Sequence, residues 1–185
     1  MLYNTKSLYT PALEPYELNE RALIIDTETL GAGPTVEIIE VALADSEGRV
    51  IYESLVRPVF NRLPPPSRHE RFPRAEIESA PEWPAVWEEL APLVDNRLLV
   101  AYNAAFDRRA LAATCSRYRQ RTAERGWRCV MQLAKRLMGA KKSVTLEAAC
   151  AHFSVEAGNH RAARDVRATH ALLMALLKES PPGGR

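Results

Sequence analysis

The chain has 185 residues, 46% apolar and 26% charged, the size and balance of one soluble globular domain with a proper core. Its longest apolar run, residues 171–177, is far short of a membrane span, and no basic segment followed by an apolar stretch opens it as a secretory signal. The net charge of +2 hides a division, with 9 basic and 18 acidic side chains in residues 1–107 and 11 basic ones against Glu124 alone in 108–142. Three widely spaced cysteines, Cys115, Cys129 and Cys150, argue against a disulfide framework or zinc site and for a reducing, cytoplasmic setting.

Residues 1–20, with Pro11 and Pro15 and no clear period, read as an N-terminal lead-in. Leu23-Ile24-Ile25 then reads as a buried strand ending in Asp26-Thr27-Glu28. Strand side chains alternate, so both carboxylates project from one face. Such a pair either solvates at a strand end or persists around a cation. After a Gly31–Pro34 turn, Val36–Ala44 and Arg49–Val56 form a hairpin through Asp45-Ser-Glu-Gly48. Pro58 to Pro84 holds seven prolines and reads as one long connecting loop.

Helical spacing begins at Pro84 with Val86, Trp87, Leu90, Leu93 and Val94, and Pro92 predicts a kink or an early end. Leu98–Ala101 is a short buried strand, and Asn103 opens a helix to about Cys115. A basic linker leads to a short strand at Trp127–Cys129, with helices over Met131–Met138, Leu146–Phe153 and about Arg161–Lys178. Residues 179–185 are a tail, leaving 21–178 as a single domain: an α/β mixed sheet flanked by helices. Any single arginine of the block 108–142 is explained as a solvated helix face. The whole block, Arg108 and Arg109 to Arg128, suits a polyanion, with Trp127 more at home in the core than stacked on a base.

The chain has five aspartates. Asp45 belongs to a turn and Asp95 ends a helix, while Asp107 and Asp165 lie in first helical turns, where acids complement the dipole. Taken with Asp26-Thr-Glu28, the segments Asn103-Ala-Ala-Phe106-Asp107 and His160-Arg-Ala-Ala-Arg-Asp165 form a set in order. That set resembles the DnaQ-like (DEDDh) 3′–5′ exonucleases over about Ala22 to Leu177, and within them the exonuclease X type.

The resemblance implies a ribonuclease H-like mixed five-stranded sheet and two divalent ions, Mg2+ with Mn2+ as a substitute, held by Asp26, Glu28, Asp107 and Asp165. It implies His160 as general base and release of nucleoside 5′-monophosphates from 3′ ends of single-stranded DNA or RNA. Thr29, Leu30, Asn103, Phe106, Arg108 and Arg109 are the expected substrate contacts. Two departures from the family pattern are Tyr102, where members often carry His before the Asn, and His69, one residue out of step with a nucleotide-holding histidine. An exoribonuclease and a catalytically silent nucleic-acid-binding module stay open as alternatives.

Overall fold

Strand β1 (Ala22–Leu30) is the spine, and its apolar run Ala22–Ile25 is wholly buried. The computed structural model describes residues 22–63 and 74–179, so the expected lead-in, Pro64–Pro66, His69 and the tail from residue 180 lie outside the described residues. β2 (Glu37–Ala44) runs antiparallel to β1 and β3 (Val50–Leu55) antiparallel to β2, whereas β4 (Leu98–Ala101) and β5 (Gly126–Cys129) are parallel to β1. The order β3-β2-β1-β4-β5 is the expected mixed five-stranded sheet. The β2–β3 turn closes as its residues dictate, Asp45 accepting the N–H groups of Glu47 and Arg49.

Two strand boundaries shape the carboxyl end of the sheet. β1 does not stop at Glu28 but continues through a bulge between Glu28 and Thr29 to Leu30. Its pairing with β4 covers only Ala22–Ile24, so beyond that point β1 has no neighbour on the β4 side. A gap therefore opens at the carboxyl ends of the parallel strands, where ligands gather in open α/β sheets.

The helices are α1 (Arg74–Ser79), α2 (Trp83–Val94), α3 (Ala104–Arg117), α4 (Val130–Met138), α5 (Leu146–His152) and α6 (Ala162–Glu179). The expected long loop is interrupted by α1, because Arg74–Ala80 is free of proline, buries Ile77 and pairs Arg74 with Glu78 one turn on. An isolated bridge between Arg57 and Glu82 further ties its far end down. α2 runs two residues past Pro92, whose missing N–H falls near the C-terminus of the helix. The predicted stripe of α6 is buried throughout, from Ala162 and Val166 to Leu173 and Leu176.

Candidate active site

Alternation along β1 sends Asp26 and Glu28 to one face and Thr27 to the other. With no strand on the β4 side at this point, the Thr27 N–H would be an orphan donor. It donates instead to Asp107 Oδ1 at 3.0 Å, and the Thr27 hydroxyl donates to the same oxygen at 2.9 Å. Asp107, in the first turn of α3 and 3% exposed, is thereby fixed at the open end of β1.

The other face is closed by α6. Glu40 of β2 lies directly across from Glu28 in the ladder, an arrangement of like charges that needs compensation. Glu40 is 4% exposed, and its two oxygens accept from Arg161 Nε at 2.9 Å and from the N–H of Ala162, the first residue of α6, at 2.8 Å. A buried carboxylate thus caps the helix from the sheet. This cap sets two of the expected site residues on either side of it, His160 before the helix and Asp165 in its first turn. Ligand atoms of Glu28, His160 and Asp165 all lie within 4.8 Å of one another. His160 has φ +59°, and no hydrogen-bond donor reaches the buried Oδ1 of Asp165.

Burial raises the carboxyl pKa of Asp26 well above 3.8, reinforced by the charges of Asp107, Asp165, Glu28 and Glu40. Burial also pushes Asp107 up to about 7 against the opposing hydrogen bonds from Thr27, and raises Asp165 against the pull of His160. Three carboxyl groups are thus held where burial penalises their charged form.

Asp26, Glu28, Asp107, His160 and Asp165 line a cavity of about 410 Å³ that also takes in Asn103, Phe106, Tyr102 and Glu147. All five expected family positions are brought together, and so are two of the six expected substrate contacts. Thr29 and Leu30 continue β1 without lining the cavity, and Arg108 and Arg109 are exposed on α3 outside it. Trp127 is core, with its indole N–H on Glu124. His170 packs over the β2–β3 turn at Ser46, and His152 stacks edge-on with Phe153.

Three contributors escaped the sequence reading. Glu40 lies unmarked within a strand, Thr27 between two acids, and Glu147 in the first turn of a helix. Glu147 Oε1 stands 3.1 Å from His160 Nε2. Its helix, α5, is anchored at its start by Tyr102, whose hydroxyl lies 2.8 Å from Val144 O and 2.9 Å from Thr145 O. Tyr102 therefore has a structural task here, joining the Asn103–Asp107 corner to the Glu147–His160 contact.

Hard oxygen donors gathered at one cavity, with one buried carboxylate oxygen lacking any donor, suit a hard divalent cation. Softer metals would call for thiolates, and the three cysteines are buried and free of disulfides, away from the cavity lining.

Comparison with known proteins points the same way. An exonuclease family model, RNase_T, matches residues 23–173. The uncharacterized exonuclease CP81 of Escherichia phage 186 is 31% identical over 181 residues, covering 87% of this chain and 90% of that protein. The structure of exonuclease X in complex with 5′-overhanging duplex DNA matches at a TM-score of 0.62 and 29% identity, covering 86% of this chain and 92% of that one. Cell-death related nuclease 4 matches at a TM-score of 0.66 but 17% identity, over 86% of this chain and 64% of that one, a likeness of fold alone. The sheet is that of the ribonuclease H-like exonucleases. Family match, relatives and fold agree, and the chain belongs to the RNase_T exonuclease family.

Proposed function

We propose that the protein is a divalent-metal-dependent 3′–5′ exonuclease that removes nucleoside 5′-monophosphates from single-stranded DNA, with 21–178 as its single catalytic domain. The observation that carries this reading is the convergence of Asp26, Glu28, Asp107, Asp165 and His160 in one cavity. Magnesium, with manganese as a substitute, would be held by the four carboxylates, and when bound it neutralises phosphate charge and makes water a better nucleophile. The chain's own residues do the rest. Asp26 and Glu28 present their charges from a rigid strand, and Thr27 locks Asp107 beside them. His160 takes the proton of the attacking water. With its Nε2–H toward Glu147, Nδ1 carries the lone pair, and the carboxylate stabilises the imidazolium that forms. Asn103 and Phe106 line the wall that meets the terminal nucleotide. Three buried cysteines free of disulfides suit the cytoplasm.

The test is digestion of a 5′-labelled single strand with magnesium. A shortening ladder and released mononucleotides are expected, and EDTA is expected to stop both. Undiminished digestion in EDTA, or shortening of a 3′-labelled strand from its 5′ end, would sink the reading. Parallel digests of RNA and of duplex with a recessed 3′ end set the substrate, the latter because the related exonuclease X structure holds a 5′-overhanging duplex.

Gly158 offers a second check. A methyl group there would land 1.7 Å from Asp165 Oδ1 and 3.1 Å from its Cα, so the loop or the carboxylate must move. Gly158→Ala is expected to fold but to lose about a hundredfold in kcat, the cost of an ångström of misplacement. Wild-type turnover, measured on the same labelled strand, would show that Asp165 is not held where the reaction needs it.

A further inference from the structure

The loop at residues 57–62 reads Arg-Pro-Val-Phe-Asn-Arg, with two cations and no acid. Val59 and Phe60 are 48% and 58% exposed, the two most exposed large apolar side chains among the described residues. A lone exposed phenylalanine needs no explanation. This one is rigidly mounted. Glu37, only 1% exposed, accepts the N–H groups of Val59 at 2.8 Å, of Phe60 at 3.2 Å and of Asn61 at 2.9 Å. Asn61 Nδ2 adds bonds to Glu37 and to Thr35 O. The Arg117 guanidinium lies 4.8 Å from the centroid of the Phe60 ring, Tyr118 flanks the ring at 5.8 Å, and Arg117 donates to Pro34 O at 2.8 Å. The loop, the β1–β2 connection and the C-terminal end of α3 are thus locked into one unit.

That unit stands at the reacting end of the sheet. Glu37 is the ladder partner of Leu30, two residues or roughly 7 Å of strand beyond Glu28. α3 begins with Asp107 in the cavity and ends with Arg117 against Phe60. Arg62 and Arg119 are exposed nearby in sequence on the two joined segments, while Arg57 is paired with Glu82. An acid is spent on holding an aromatic ring outward, beside an arginine, at the strand end that also carries the catalytic carboxylates. Proteins that bind single strands without reading sequence combine these same parts, cations for phosphates and a fixed aromatic face for a base.

We propose that Phe60, backed by Arg117, is a stacking platform for a base of the substrate strand upstream of its 3′ end. The proposal rests on the exonuclease reading above and deepens it. It explains why the ring is both exposed and immobilised, since a platform whose conformation is already fixed loses less entropy on binding.

The test uses the full chain with magnesium and compares kcat/KM on a long oligothymidylate and on a dinucleotide. Phe60→Ala is expected to shrink the advantage of the long strand by about tenfold, mostly through KM, with an unchanged melting temperature. Phe60→Trp is expected to keep or enlarge that advantage. An unchanged advantage in Phe60→Ala, or an equal proportional loss on the dinucleotide, overturns the platform. If the wild type cleaves neither substrate, the exonuclease reading fails by itself. Anisotropy of a labelled oligothymidylate then tests the platform separately, with equal affinity of wild type and Phe60→Ala overturning it.

Discussion

Asp26→Asn is expected to abolish hydrolysis while making the metal-free protein more stable at neutral and alkaline pH. Loss of a residue that merely supports a metal ligand costs about 10–100-fold, so loss of the central carboxylate is expected to exceed about a hundredfold in kcat. The stability gain follows from burial. Asp26 is held far above its ordinary carboxyl pKa of 3.8, and the largest cause after burial is the charge of Asp107. Asp107 is itself pushed up to about 7.

The sign of the pH dependence follows from which state holds more protons. Unfolded, these carboxyls titrate near their ordinary values. Between about pH 4 and pH 7 the folded chain keeps protons that the unfolded chain has released, so stability falls as pH rises. The slope is about 1.4 kcal/mol per pH unit for each extra proton held. Metal-free wild type is therefore expected to melt higher near pH 5 than near pH 8. Asp26→Asn flattens that slope and raises the melting temperature near pH 8 by a few degrees, about 1 kcal/mol or more. Magnesium is expected to raise the wild-type melting temperature near pH 8 and to raise the variant's less. Scanning calorimetry in EDTA and in magnesium checks all three. A variant less stable than wild type near pH 8 without metal would show that the carboxylates are not in mutual repulsion.

Much of this was legible in the sequence because the signals are local. Apolar runs with turn residues between them located all five strands, and the helical stripe of α6 was read correctly from spacing alone. Asp26, Glu28, Asp107, His160 and Asp165 were singled out because their spacings form a set that resembles a family's, and the fold brings the five to one cavity. What could not be read depends on partners distant in the chain. Glu40 bonds across 122 residues to Ala162. Thr27 bonds across 80 to Asp107. Glu37 looks like a strand end until it is seen gathering the N–H groups of a loop 22 residues on. Such acids and hydroxyls carry no periodic mark, since an ordinary polar residue becomes a clamp only when the fold delivers its partner. α1 was missed for a different reason: the density of prolines around it outweighed a six-residue segment that has none.

Glu40→Ala carries the second large expected effect and separates positioning from direct participation. Removing the carboxylate leaves Ala162 N–H and Arg161 without the acceptor that holds them, and breaking a buried pair in this way is strongly destabilising. Arg161 is partly exposed and can rehydrate, so the expected loss is about 2–4 kcal/mol, or roughly 5–15 °C of melting temperature. Freed from the sheet, the start of α6 can no longer hold His160 and Asp165 at a fixed distance from Glu28. Turnover measured well below the melting point is therefore expected to fall by about 10–100-fold, with more magnesium needed for half-maximal rate. Glu40→Gln keeps one acceptor oxygen but puts an amide N–H₂ where the other oxygen accepted. It should fall between wild type and alanine on both measures. Because Glu40 already has both oxygens engaged, by Arg161 and by the first residue of α6, its loss acts through the start of the helix. If Glu40→Ala melts lower yet keeps wild-type turnover and magnesium dependence, Glu40 is a brace for stability alone, and His160 and Asp165 are placed by the packing of α6 on β1.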